Sequence, residues 1–242
     1  MGKENYFINK QKGILIVFEG ISGCGKSKGV EGLYRELLGM GFKTKVIEWN
    51  SNCVIRKIVK RLHSMNLLTS WIYSILQWIS FLIHYFSLVR PSLKQDYILI
   101  ADRYIYTGRT RDTANGARQD IGKRISKWVR KPDLILFYDV DVQVCYERIE
   151  RRGKVLFHPN RKVQCNEVLK KENLRYLEAM QCEYLNLFRD PELKRETNII
   201  DIPLVSSDGT RTIIRNTVEE YIKLKSGDNF LTDDKAVSKM SR

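Results

Sequence analysis

Cysteine is scarce in this chain, with five among 242 residues and no two of them spaced as Cys-x-x-Cys. The five are Cys24, Cys53, Cys145, Cys165 and Cys182. An odd, scattered set argues against a disulfide framework and against a zinc site, both of which need paired or clustered cysteines. The pattern predicts a protein of a reducing, cytoplasmic compartment.

Repeats, low-complexity tracts and an apolar leader are also missing from the sequence. The first residues are charged, and Tyr6 occupies the position where a myristoylation signal has Ser or Thr. Since 43% of the residues are apolar, the chain can bury one full core. We predict an N-terminal arm (residues 1–12), one domain (13–225) and a flexible C-terminal tail (226–242).

Acidic residues are outnumbered, because 42 Lys and Arg oppose 28 Asp and Glu and give a formal charge of +14. Such a surplus favours anionic partners such as nucleotides, nucleic acid or an acidic membrane surface. A merely solvated basic surface explains the total charge equally well, so the charge alone does not identify a partner.

Charge is absent altogether from Leu62 to Val89, and the part from Trp71 onward is about as long as a membrane span. Its polar residues nevertheless recur at helical spacing and form one stripe: Ser70, Ser74, Gln77, His84 and Ser87. We therefore expect a buried or interface helix and no membrane association.

Apolar, β-branched runs alternate with helical patterns along the chain. The runs predict strands over residues 13–19, 43–49, 97–101, 133–138 and 197–204. The helical patterns follow the strands at residues 30–38, 54–63, 71–89, 142–152, 167–188 and 212–223. This alternation predicts an α/β fold, a five-stranded parallel sheet with helices on both faces.

A glycine-rich loop, Gly20-Ile-Ser-Gly-Cys-Gly-Lys26-Ser27, joins the first strand to the first helix and matches the Walker A pattern. Such loops direct backbone N–H groups at phosphate oxygens, and the lysine neutralises them. We expect ATP phosphates to contact the loop residues Gly20, Ser22, Gly23, Cys24, Gly25, Lys26, Ser27 and Lys28. For Cys24, a tolerated small residue and an oxidation-sensitive thiol remain alternative interpretations.

A carboxylate and a guanidinium, Asp102 and Arg103, follow the third strand at the sheet edge where α/β proteins bind ligands. Asp102 could act with the Ser27 hydroxyl on Mg²⁺, and Arg103 could hold an acceptor phosphate. A structural ion pair is the alternative.

Cations also cluster after the fourth strand, at Arg148, Arg151, Arg152 and Lys154. We predict a short lid over residues about 151–163, with Arg148 and Arg152 acting on the transferring phosphate. A solvated basic helix end is the alternative.

Together these motifs resemble the thymidylate kinases, a branch of the P-loop nucleoside monophosphate kinases. The resemblance runs from about Gly13 to Lys223 and includes Phe18 to Ser27, Ala101-Asp-Arg-Tyr104 with Thr107, and Pro132 to Asp141. It implies a P-loop kinase fold, Mg-ATP as the donor, a nucleoside monophosphate as the acceptor, and a homodimer formed by the helices between the second and third strands.

The chain departs from that family where thymine is read. The family has an aromatic residue and then an arginine on the long helix, but here Trp78 is followed by Phe81 and Leu82. Arg111 stands where an aromatic residue often screens the sugar. We expect the acceptor to contact Trp49, Arg56, Gln77, Trp78, Phe81, Arg103, Thr107 and Arg111, although core packing for the aromatics and a solvated basic face for Arg56 remain open.

The missing cation predicts that thymidylate is at best a modest acceptor. Two other functions stay open: a P-loop kinase of another small molecule or a polynucleotide end, and a nucleotide-binding regulator without turnover. We rank nucleic acid below a small nucleotide as the partner.

Overall fold

The computed structural model describes residues 13–49, 52–153, 156, 166–203 and 207–237. The predicted N-terminal arm, most of the predicted lid and residues 238–242 lie outside the described residues. Five strands form one sheet in the order β2-β3-β1-β4-β5, and every pair of neighbours is parallel. The strands are β1 (Ile14–Glu19), β2 (Thr44–Glu48), β3 (Ile98–Asp102), β4 (Leu134–Phe137) and β5 (Asn198–Asp201). The predicted five-stranded parallel sheet is confirmed.

The central strands β1, β3 and β4 are buried except at Asp102, the last residue of β3, as expected for a sheet that helices cover on both faces. Phe18 of β1 pairs with Asp102 of β3, and Asp102 pairs with Glu48 of β2. This register brings the carboxyl ends of three neighbouring strands to one edge. The loops after β1 and β3 therefore meet there.

Ten α-helices and one π-helical turn connect the strands in the described part of the chain. They are α1 (Lys26–Gly39), α2 (Cys53–Ser64), α3 (Ser70–His84), the π-helical turn (Tyr85–Val89), α4 (Arg90–Lys94), α5 (Ile105–Ala114), α6 (Asp120–Trp128), α7 (Val142–Arg151), α8 (Asn166–Arg189), α9 (Pro191–Glu196) and α10 (Ser207–Val237). The sequence patterns do not predict α5, α6 or α9. Helix α10 continues to Val237, well past the predicted end at residue 223, and flexibility of the tail stays a prediction.

The stretch Ser70–Lys94 is the candidate membrane span among the described residues, by length and composition only. Its inward side chains pack in the core of the domain, where Trp78, Phe81, Tyr85 and Val89 are each at most 4% exposed. This packing agrees with the predicted buried helix. The opposite side carries exposed apolar residues, among them Ile79, Ile83 and Phe86.

Candidate active site

The loop after β1 takes a backbone course that side chains would obstruct. Gly23 and Gly25 have φ angles of 88° and 107°, in the left-handed region that favours glycine. A Cβ on Gly23 would lie 2.3 Å from the carbonyl oxygen of Cys145. Because α7 packs this closely, the loop can curl only with glycine at that position.

Lys26 lies in the floor of this loop and is 4% exposed. Its Nζ donates to the carbonyl oxygens of Gly20 at 3.0 Å and Ile21 at 2.9 Å, and it lies 3.2 Å from Cys24 Sγ. Burial, together with the nearby charge of Arg103, lowers the pKa of Lys26. The ammonium group is thus held at the loop by oxygens that carry no full charge, so an anionic phosphate would be a favourable partner.

The two residues predicted to act on Mg²⁺ are in contact. The Ser27 hydroxyl donates to Asp102 Oδ2 at 3.0 Å, which joins the first turn of α1 to the end of β3. A hydroxyl and a single carboxylate are hard oxygen ligands, and Mg²⁺ completes such sites with water and substrate phosphates. The described residues contain no group of three or more His, Cys, Asp or Glu side chains suited to a metal, and the oxygen pair fits Mg²⁺.

Arg103 has an unusual backbone, with φ of +80° at a non-glycine residue. The guanidinium donates to the Gly20 carbonyl at 3.0 Å and to Ser22 Oγ at 3.3 Å. The arginine after β3 is therefore anchored on the loop after β1. These hydrogen bonds join the two loops at the edge of the sheet.

A fully buried carboxylate, Glu19, joins these loops from below. Its Oε1 accepts from the backbone N–H of Tyr104 at 2.8 Å, and its Oε2 accepts from Thr107 Oγ1 at 2.6 Å and Tyr184 OH at 2.8 Å. Burial raises the pKa of Glu19, an effect that the Thr107 hydrogen bond and Arg103 oppose. Glu19 and Tyr184 are not among the residues that the sequence analysis selects. The signal for Glu19 was a charged residue closing an apolar strand.

A cavity of about 570 Å³ opens above these residues. The wall on the side of the glycine-rich loop is formed by Ser22, Gly23, Gly25, Lys26, Ser27, Lys28, Asp102 and Arg103. The predicted loop contact Cys24 lines a different cavity. The far wall of the first cavity is formed by Tyr73, Arg111, Ile149, Arg152, Leu156, Tyr176 and Met180. Of this far wall, only Arg111 and Arg152 were expected at the site.

A second cavity, of about 580 Å³, lies on the other side of the loop between α1 and the start of α10. Arg148 and Arg152 both line it, and Arg152 and Lys28 line the first cavity as well. One Arg148 nitrogen lies 3.5 Å from the Gly23 carbonyl oxygen. The predicted cationic cluster therefore does reach the phosphate loop.

Four predicted acceptor contacts instead form part of the core. Trp78, Phe81, Trp49 and Gln77 are each at most 8% exposed and do not line the large cavities. Trp49 stacks on Phe81 with ring centroids 5.0 Å apart, and Trp78 donates its indole N–H to Asp112 at 2.8 Å. In the structure these aromatic residues pack in the core, which is the alternative that the sequence analysis left open for them.

Two more predicted acceptor contacts are placed differently from the expectation. Arg56 lies on the exposed side of α2, outside the lining of the large cavities. Thr107 is fully buried and contacts Glu19 and Tyr184, so it supports Arg103 from beneath instead of facing the cavity.

Comparisons with known proteins agree with this geometry. The family model described as thymidylate kinase matches residues 18–202. A protein named probable thymidylate kinase 2 from Saccharolobus solfataricus is 31% identical over 87% of this chain and 98% of its own length. A probable thymidylate kinase from Methanosphaera stadtmanae is 28% identical over 86% of this chain and 99% of its own. A thymidylate kinase from Halothermothrix orenii is 30% identical over 57% of this chain and 69% of its own.

Proposed function

Because this chain belongs to the thymidylate kinase family, and is thereby an ATP-dependent nucleotide kinase, we propose that it transfers the γ-phosphoryl group of Mg-ATP to thymidylate or a closely related nucleoside monophosphate. The observation that carries this proposal is the junction of two phosphate-binding elements. Lys26 and Arg103, on different loops, both donate to the carbonyl oxygen of Gly20. Cations for a donor phosphate and an acceptor phosphate thus sit side by side.

In the proposed reaction the loop from Gly20 to Lys28 binds the triphosphate through its N–H groups, and Lys26 neutralises the β- and γ-phosphates. The nucleoside of ATP occupies the second cavity, between α1 and α10. Arg148 and Arg152 reach the phosphates from the end of α7 and stabilise the charge that develops during transfer. Arg103 holds the acceptor phosphate in line with the γ-phosphate.

Mg²⁺ would be held by Ser27 and through Asp102, and when bound it supplies neutralisation of the phosphate oxygens. The contact of 3.0 Å between these two side chains supports the assignment. The acceptor nucleoside occupies the far half of the first cavity. Arg111 lines that half and is proposed as an acceptor contact. The other predicted acceptor contacts away from the phosphate loops do not line the large cavities, and their contact with the acceptor stays a prediction: Trp49, Arg56, Gln77, Trp78, Phe81 and Thr107.

We also propose a cytoplasmic homodimer. Support comes from α3 and the π-helical turn that follows it, whose outward side exposes Ile79, Ile83 and Phe86 to 42%, 47% and 54%. Exposed apolar residues on one side of a helix are what a partner helix covers.

The test is direct: purified protein, γ-labelled ATP and Mg²⁺ are incubated with each nucleoside monophosphate and, separately, with a short oligonucleotide. Label should appear in a nucleoside diphosphate, and thymidine diphosphate is the product to examine first. Release of inorganic phosphate alone, or labelling of the oligonucleotide end alone, would refute the proposal.

A further inference from the structure

The end of helix α6 leaves a large aromatic ring in solvent. Trp128 is 86% exposed, the highest value for a large apolar residue in the described part of the chain, and Leu224 follows at 66%. The apolar residues on the other side of α6, Ile121 and Ile125, pack against the core. A single exposed apolar residue needs no partner by itself, so the surroundings of Trp128 decide whether it belongs to a binding surface.

These surroundings are strongly basic. From Arg118 to Lys131 the sequence contains six Lys and Arg and one carboxylate, Asp120, which pairs with Arg118. Three of the cations are exposed and form no ion pair in the part of the chain that the structure describes: Lys123, Arg124 and Lys127. We call these three cations together with Trp128 the basic face of α6.

Helical spacing brings the members of the basic face together. Lys123 and Lys127 are four residues apart, as are Arg124 and Trp128, and residues at this separation are neighbours on a helix surface. The aromatic ring and the three positive charges therefore belong to one continuous surface.

The chain directly after Trp128 is attached to the domain by several contacts. The backbone N–H of Arg130 donates to Tyr85 OH at 3.0 Å, and its carbonyl oxygen accepts from Tyr104 OH at 3.0 Å. The Arg130 guanidinium donates to Asp133 at 2.7 Å. Because these contacts hold the backbone two residues after Trp128, a ligand would meet a surface that is already formed, which lowers the cost of binding.

A ligand that combines negative charge with flat rings fits this surface best. Single-stranded nucleic acid has both, since its phosphates contact Lys and Arg while its unpaired bases stack on aromatic side chains. An acidic membrane would also attract the charges, but a helix that lies in a membrane surface needs an apolar side as well. In α6 that side, with Ile121 and Ile125, packs against the core.

The basic face lies away from the candidate active site. The Arg130 guanidinium donates to the carbonyl oxygen of Gly13 at 3.3 Å, and Gly13 directly precedes β1. The phosphate loop follows β1 at its other end, and the six residues of that strand extend over about 20 Å. No residue of the basic face lines either large cavity. A strand bound there would therefore leave both cavities open.

We propose that the basic face of α6 binds single-stranded nucleic acid, with Trp128 stacking on a base and the three cations contacting phosphates. The proposal goes beyond the proposed function, because it adds a partner and leaves a small nucleotide as the acceptor of the phosphoryl group. It also gives a role to part of the formal charge of +14.

The experiment measures the fluorescence anisotropy of a short labelled single strand, and of a duplex of the same length, from about 50 to about 200 mM salt. The variants are Trp128→Ala, Trp128→Phe and the triple change Lys123→Gln/Arg124→Gln/Lys127→Gln. The matched control removes three exposed cations of α2 instead, by Lys57→Gln/Lys60→Gln/Arg61→Gln. Thermal unfolding checks that each variant is folded, and transfer from ATP checks its active site.

Wild type should bind the single strand with a Kd of about 10 µM or tighter at the lowest salt. Trp128→Ala should weaken this binding by about 5- to 150-fold, the range for loss of one stacked base, and Trp128→Phe should keep most of the affinity. The α6 triple variant should reduce the slope of log K against log salt by about 2, because each phosphate contact contributes about 0.7. The α2 control should change the slope by less than about 0.7, and transfer from ATP should stay as in wild type throughout.

Several results would overturn the proposal. Absence of binding at the lowest salt, equal weakening by the two triple variants, or an unchanged affinity in Trp128→Ala would each show that the basic face is not a binding site. Binding to anionic lipid vesicles in place of the strand, or a lower mass of Trp128→Ala in light scattering, would assign the face to a membrane or to a second copy. Competition by Mg-ATP would move the strand to the active site. Because anisotropy does not depend on turnover, a failure of phosphoryl transfer would refute the proposed function and leave this result standing.

Discussion

Replacing Tyr184 by phenylalanine should weaken acceptor binding through its effect on the position of Arg103. The change removes a buried hydroxyl that lies 2.8 Å from Glu19 Oε2 and 2.7 Å from Thr107 Oγ1. Glu19 would keep Thr107 Oγ1 and the N–H of Tyr104, so the carboxylate stays hydrogen-bonded. We therefore expect a loss of roughly 1–2 kcal/mol in unfolding free energy and not a collapse of the domain.

The functional effect should be unequal between the two substrates. Glu19 holds the backbone that follows Arg103, at Tyr104 and Thr107. The loop proposed to bind ATP is held separately, by hydrogen bonds that Lys26 donates to its carbonyl oxygens. KM for the acceptor should rise several-fold more than KM for ATP, measured by coupled ADP release, while thermal unfolding reports the stability loss. A Tyr221→Phe variant is the control, since that hydroxyl contacts Asp133 at 3.4 Å and is not at the site. Equal changes in both KM values, or none, would refute the reasoning.

Three further changes test other parts of the molecule. Lys26→Ala should keep the domain folded and slow transfer by at least about 10²-fold in single-turnover measurements, and a near-normal rate would rule out the loop's role. Burial favours the neutral form of Asp133, but Arg130 and Lys225 outweigh this effect and lower its pKa below the usual 3.8. The ionised Asp133 therefore contributes fully to the free energy of unfolding above pH 3.8, and this contribution is lost as the pH falls through the lowered pKa. The stability advantage of wild type over Asp133→Asn, measured by urea unfolding, should shrink from about pH 5 to about pH 2, and a constant difference would contradict this. Ile83→Glu should convert a dimer to a monomer in light scattering, and an unchanged mass would remove α3 from the interface.

The sheet could be predicted because its strands are short, buried and bounded by loops, which gives continuous apolar runs such as Ile14–Glu19. Helix α5 could not be predicted for the converse reason. It carries β-branched threonines and Gly108, and residues from Ile105 to Gly108 are all buried, so it has no one-sided apolar pattern. Its helical form depends on packing against α3 and α8, which a local pattern does not contain.

The loop side of the first cavity could be predicted from motif spacing, whereas its far wall could not, apart from Arg111 and Arg152. The family resemblance suggested Trp78 as an acceptor contact, but its indole fits against one glycine of α5 and one of α6. A Cβ on Gly108 or Gly122 would lie 2.7 or 2.6 Å from Trp78 Cζ2. The Trp78 side chain is therefore packed in the core. The far wall of the first cavity instead includes Tyr73, Arg111 and Tyr176, which lie on three helices that are distant in sequence.

The carbonyl oxygen of Gly20 links Lys26, proposed to bind the phosphates of ATP, to Arg103, proposed to bind the acceptor phosphate. Lys26 and Arg103 each donate to it at 3.0 Å, so two positive groups are held closer together than their charges alone would allow. Burial is the main cause of the lowered pKa of Lys26, and repulsion from Arg103 adds to it. If the two substrates bind as proposed, their phosphates supply negative charge on either side of this pair. Each substrate would then relieve a repulsion that also involves the cation proposed to hold the other.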